Sequence, residues 1–183
     1  MAVIYNTTID QGADWFINFN YTQSAIITGI SANGTTVNFT AANGFTSGQP
    51  VTIYNVLPTQ FNLSNATLAS ASASGFTVTN GATGTYISGG IATSPANITS
   101  YTAALQIRSL PSSPEYVLNL TTANSGIAIT GASGLVAVHA TAIQTAAIDD
   151  GVYYYDLEIT APNTGIVTRL VQGQVVVSPE VTR

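Results

Sequence analysis

Chemistry in this chain would have to come from very few side chains. Of 183 residues, three are Lys or Arg, eight are Asp or Glu, one is His, and Cys is absent. His139 is the sole candidate imidazole base, and it lies in the apolar stretch Leu135-Val136-Ala137-Val138-His139-Ala140. A Ser-His-Asp arrangement needs an oriented acid and an activated serine. No Gly-x-Ser-x-Gly elbow accompanies this histidine, so a structural His139, at a strand edge or on an exposed strand face, is expected.

Carboxylate pairs are the second source. Asp156 and Glu158 share one face of a strand pattern and Asp149-Asp150 precede Gly151; glycoside hydrolysis would need two such groups facing each other roughly 5 to 10 Å apart. An acidic dipeptide before glycine is ordinary turn composition, however, and Asp156 and Glu158 alternating with Leu157 and Ile159 is an ordinary solvated strand face. No catalytic residue is expected. Calcium could use Asp10, Asp14, Asp149 and Asp150, all near turn signals, because hard cations take loop carboxylates and carbonyls. The Asp-x-Asp-x-Asp-Gly pattern is missing. Neither a metal nor a cofactor is expected, and the glycines fit hairpin turns rather than a phosphate-binding loop.

Arg108 and Arg169 end or interrupt apolar strands. Either can pair with Asp156 or Glu158 across a sheet, worth about 0.2 to 1 kcal/mol when exposed, or make a charge-assisted contact with a neighbouring subunit. Together with Gln172, Gln174 and Val176 they are the candidate subunit-contact residues. The run 172–178 reads as an edge strand able to extend a sheet across subunits.

The elements that must position these groups are strands. From Trp15 to Ile107 there is no Asp, Glu, Lys, Arg or His, yet Thr, Ser, Asn and Gly interrupt the apolar residues far too often for the roughly 20-residue apolar run of a membrane helix. Strand patterns bounded by turn residues occur at 3–9, 15–22, 25–30, 35–40, 51–56, 67–70, 75–79, 85–88, 101–108, 116–120, 126–130, 135–141, 151–160 and 166–178, with one short helical bridge at 142–148. Such spacing predicts an all-β sandwich or barrel. Residues 25–94 are uncharged and carry the turn signals Asn33-Gly34, Asn43-Gly44 and Asn80-Gly81. They read as an inserted β-sandwich or barrel lobe splitting an Ig-like β-sandwich host made of 1–24 and 95–183.

Composition narrows function. The net charge is −5 and the only cations are Arg108, Arg169 and Arg183, so phosphate neutralisation has little to work with and nucleic-acid binding is not expected. Membrane association is not expected either. The start Met1-Ala2-Val3-Ile4-Tyr5-Asn6 has neither a cationic region nor a long apolar one, which predicts synthesis in a cytoplasm. The sequons Asn20-Tyr21-Thr22, Asn38-Phe39-Thr40, Asn62-Leu63-Ser64 and Asn119-Leu120-Thr121 are those a chain rich in Asn and Thr generates by chance.

Several segments resemble known proteins. Asp10-Gln11-Gly12-Ala13-Asp14-Trp15, the strand 98–108 ending in Gln106-Ile107-Arg108, Tyr153-Tyr154-Tyr155-Asp156-Leu157-Glu158-Ile159, Thr168-Arg169-Leu170 and the stretch from Gln172-Gly173-Gln174 to Arg183 resemble a family of small tailed-phage virion proteins. They are also similar to the N-terminal module of phage baseplate upper proteins. The insert, through Asn33-Gly34-Thr35-Thr36-Val37, Thr40-Ala41-Ala42-Asn43-Gly44-Phe45, Gly48-Gln49-Pro50-Val51-Thr52-Ile53 and Gly75-Phe76-Thr77-Val78-Thr79-Asn80, resembles a β-repeat module added to phage structural proteins. The resemblance implies a non-enzymatic virion component that docks on tail or baseplate as an attachment or fibre-adaptor module. Its partners would be other virion proteins in a homo-oligomeric or symmetric assembly. The same features fit a capsid decoration or cement protein. A carbohydrate-binding module using Trp15, Tyr153, Tyr154 and Tyr155 as stacking faces is the reading from another class.

Overall fold

The computed structural model describes residues 2–181. The protein is all-β, with a single short α-helix among the described residues. In chain order the first strands are β1 (Val3–Ile4), β2 (Thr7–Asp10), β3 (Trp15–Asn20), β4 (Thr22–Ile26), β5 (Gly29–Ala32), β6 (Thr36–Thr40), β7 (Pro50–Leu57), β8 (Leu63–Ser72), β9 (Gly75–Thr79) and β10 (Ser88–Pro95). There follow β11 (Thr102–Arg108), β12 (Leu118–Thr121), β13 (Ile127–Thr130), β14 (Leu135–Ala140), the helix α1 (Ala142–Ala146), β15 (Gly151–Thr160) and β16 (Val167–Ser178). The chain divides into two compact units, one formed by Met1–Phe19, Ile98–Gly131 and Leu135–Arg183, the other by Asn20–Asn97 with Ala132–Gly134.

The first unit contains a six-stranded sheet ordered β1-β16-β15-β11-β12, with β2 also on β16, and a three-stranded sheet ordered β13-β14-β3. Strict alternation builds its core: Ala103, Leu105 and Ile107 of β11 and Tyr155, Leu157 and Ile159 of β15 are buried while their neighbours are not, the period-two signature of a sheet with one solvated face. The expected strand at 3–9 is broken. β1 and β2 both run parallel to β16 with one constant register, Val3 opposite Val171 and Thr7 opposite Val175, and Tyr5 and Asn6 lie between them. β16 is therefore paired on both sides, by β15 and by β1 and β2. This corrects the expectation that 172–178 is an edge: the N-terminal segment takes up the hydrogen-bonding groups that a neighbouring subunit would have used. The short helical bridge expected at 142–148 is α1, which ends at Ala146 and starts on a capping box in which Thr141 and Gln144 satisfy each other's backbone N–H groups.

The second unit is one seven-stranded antiparallel sheet, ordered β4-β10-β7-β8-β9-β6-β5. Its two end strands, β4 and β5, are consecutive in sequence and joined by Ile27 and Thr28 alone. Because a residue spans at most about 3.6 Å, the two ends of the sheet cannot separate and the sheet curls into a half-barrel. Ile27 N–H bonds the Gly90 carbonyl at 3.0 Å and Thr28 N–H the Thr40 carbonyl at 2.9 Å, continuing the ladders on either side of the junction. The concave face is filled by Val37, Phe39, Val51, Ile53, Leu68 and Phe76, among others. The unit is wider than the 25–94 expected, since Thr22 to Ser24 and Pro95 belong to the β4–β10 ladder. A strand expected at 85–88 instead runs from Ser88 to Pro95. Gly89 and Gly90 adopt positive φ at the start of that strand, where glycine fits without strain.

Phe76 is 2% exposed and packs against Phe39 and Phe45, with ring centroids 4.9 and 5.3 Å away. Truncating it leaves a cavity at the centre of the curled sheet. Phe76→Ala is expected to destabilise this unit by about 3 to 5 kcal/mol, read as a lower denaturation midpoint.

Candidate functional site

Three strands of the first unit turn their outward residues onto one surface. Register places Gln106 opposite Asp156, Asp156 opposite Gln172, and Tyr154 between Arg108 and Gln174. The surface holds an open groove of about 750 Å³. Both described arginines and two of the acids meet in it, a concentration set by tertiary structure in a chain this poor in charge.

Arg169 reaches the groove through a bulge. Leu157 pairs with Val171 but Glu158 pairs with Arg169, so Leu170 is an extra residue on β16. In a regular strand Arg169 would share the inward phase of Val171 and Val175; the bulge reverses its side. Its Nε lies 3.1 Å from Asp156 Oδ2, its Nη2 3.0 Å from Glu158 Oε1, and its Nη1 donates to Gln172 Oε1 at 3.3 Å. Arg169 thus takes the intramolecular pairing expected for one of the two arginines. Among the described residues Arg108 pairs with no carboxylate. Its Nη1 donates to the carbonyls of Ser113 and Pro114, both at 2.6 Å, and its Nη2 to Gln106 Oε1 at 2.7 Å. It pins the segment following β11 as a rim of the groove.

Burial raises the Asp156 carboxyl above its ordinary range, Arg169 opposes that shift, Glu158 adds to it, and Arg108 opposes it more weakly. Desolvation outweighs the adjacent guanidinium because the carboxylate sits half-buried on the sheet. A carboxyl whose folded pKa lies above its unfolded one contributes stability that is present below the unfolded value and lost as pH rises through the folded value.

The floor depends on the N-terminal segment. Gly173 of β16 stands where a Cβ would meet the carbonyl oxygen of Tyr5, so its absence lets that backbone approach closely. The carbonyl accepts a bond from the buried Tyr155 hydroxyl at 2.7 Å, and Asn6 Oδ1 accepts from Gln174 N–H at 2.9 Å in place of a backbone partner. Burial, with the Tyr5 phenol adding, holds the Tyr155 hydroxyl well above its ordinary pKa.

Other sequence-derived candidates lie elsewhere. His139 stacks on Phe16 with centroids 4.3 Å apart and places Nε2 3.3 Å from Asp14 Oδ1, which also accepts from Ala142 N–H at 2.9 Å. That carboxylate caps α1. Among the described residues no group of three His, Cys, Asp or Glu comes together as a metal site. The aromatic set Trp15, Tyr153, Tyr154 and Tyr155 is dispersed: Trp15 and Tyr155 are core residues, Tyr153 donates to the Asp149 carbonyl at 2.9 Å, and Tyr154 lines the groove. Gln172 and Gln174 line it too, whereas Val176 is partly exposed beyond it. Arg183 lies outside the described residues. Sequence reasoning missed Asn6 and Gln106; the outward phase of β11 was the available signal for Gln106, and nothing local marked Asn6. Comparisons with protein-family models, curated proteins and solved structures found no match.

Three outcomes are expected. Gly173→Ala should cost about 1 to 3 kcal/mol through overpacking, and Tyr155→Phe about 0.5 to 1.5 kcal/mol through loss of its hydrogen bond to the Tyr5 carbonyl, both read from denaturant midpoints. The stability difference between the parent and Asp156→Asn should move against the parent as pH rises from below 3.8 through the raised Asp156 value; movement in the parent's favour would mean that the Arg169 pair dominates.

Proposed function

We propose that this protein is a non-enzymatic structural component of a tailed-phage virion, docking on tail or baseplate as an attachment or fibre-adaptor module. One observation carries the reading. On the convex face of the second unit Ile26, Ile91 and Tyr54 stand opposite one another across β4, β10 and β7, with Ile26 73% and Tyr54 39% exposed. Leu57 and Ile87, also exposed, are joined by a backbone bond at 2.9 Å. This apolar row lies on a unit with no Asp, Glu, Lys, Arg or His, because none occurs between Asp14 and Arg108 or within 132–134. Charge normally keeps a surface solvated and separate from its neighbours, and contiguous exposed apolar surface marks a contact. A lobe with the second and without the first suits dense, fixed packing in an assembly, in keeping with the resemblance to virion proteins.

Cryo-electron microscopy of the particle that carries the protein tests this. Density in symmetric rings at the tail is expected, and Ile26→Lys should abolish incorporation while leaving the melting temperature within a few degrees of the parent. Density spread over the capsid lattice would replace the tail reading with a decoration role. Absence from particles would end the virion reading.

A further inference from the structure

We propose that the groove over β11, β15 and β16 is a binding site for a short neutral oligosaccharide. This goes beyond a structural role and does not depend on one, since it concerns a different surface. Its volume of about 750 Å³ falls within the range of about 300 to 1,000 Å³ typical of small-molecule sites.

The state of each polar group selects the ligand. Arg169 is engaged by Asp156, Glu158 and Gln172, and Arg108 by two carbonyls and Gln106. Two guanidinium groups and two carboxylates cancel. An anion would therefore find no net positive field and would have to displace existing ion pairs, while a cation would meet Arg169 between the acids. What remains unengaged among the described residues is a set of neutral-ligand contacts. Gln172 accepts from Arg169 through Oε1, leaving its amide N–H groups to donate; the second oxygens of Asp156 and Glu158 remain acceptors; and the whole Gln174 side chain is unengaged. Donors and acceptors alternate across neighbouring strands at sheet spacing, about 5 Å. A polyhydroxylated ring satisfies both kinds because each hydroxyl donates and accepts. Tyr154 supplies an apolar ring surface at the same groove, and such surfaces pack against the C–H faces of a sugar ring. The arginine bonds hold Gln172, Asp156 and Glu158 before any ligand arrives, so of these polar contacts only Gln174 has its side-chain freedom still to lose on binding.

The test is a two-dimensional amide NMR titration of the full chain with maltotriose, mannotriose and triacetylchitotriose, with trigalacturonate and inorganic phosphate as anionic controls. At least one neutral trisaccharide should shift the side-chain amide signals of Gln172 and Gln174 saturably at millimolar concentration, and the anions should not. Gln172→Ala should weaken that binding roughly fivefold, the loss of one hydrogen bond, with an unchanged melting temperature. Gln174→Ala, at a more exposed position, and Tyr154→Ala should also weaken it. Absence of saturable shifts with all three neutral probes would overturn the proposal. So would a response to the anions alone, or unchanged affinity in both glutamine variants.

Discussion

Pairing of β16 on both sides is the constraint on which the first unit depends. The strand hydrogen-bonds antiparallel to β15 along its length and parallel to the N-terminal segment on its other side. Parallel partners of this kind must come from distant sequence, so the first residues of the chain complete a sheet whose other members all come from its second half. Gly173 makes the closure geometrically possible, and Tyr155 makes it chemically acceptable by satisfying the Tyr5 carbonyl. Tyr155 is buried whereas Tyr5 is exposed, so that bond contributes about 0.5 to 1.5 kcal/mol, the net value of an ordinary hydrogen bond.

The same strand organises the charge. One inserted residue, Leu170, separates the inward phase of Val171 from that of Arg169 and moves a guanidinium from the core side to the solvent side. There it meets two carboxylates on alternate positions of β15. Exposed ion pairs add little stability, so the network matters more as a fixed frame that orients the glutamine amides around it than as a source of folding free energy. Arg108 has a different task, holding backbone carbonyls of the following segment.

In the second unit no electrostatic frame exists, and shape is set by connectivity. Two residues link the ends of a seven-stranded sheet, which forces curvature, and the curvature encloses an aromatic and aliphatic core. Asn65, at positive φ beside the irregular β7–β8 register, helps β8 change partners from β7 to β9. Its convex face gains no charge from this arrangement. It carries an apolar row that the sequence shows only as scattered Ile and Tyr residues.

Local pattern was enough to determine that this protein is all-β, where most of its strands lie, which face of β15 turns inward, and that a charge-free segment interrupts a charged one. Those properties follow from period-two alternation and turn chemistry, which act over a few residues. Tertiary structure decided that Gln172 to Ser178 is covered rather than at an edge, that Trp15 and Tyr155 are core while Tyr154 is not, and that Arg169 faces the acids. The odd interval between Arg169 and Gln172 conflicted with their sharing one strand face, and only the bulge resolved it. Partner choice, register and bulges depend on contacts between segments more than a hundred residues apart, as between Tyr5 and Tyr155, and no local pattern encodes which distant strand supplies the missing hydrogen bonds.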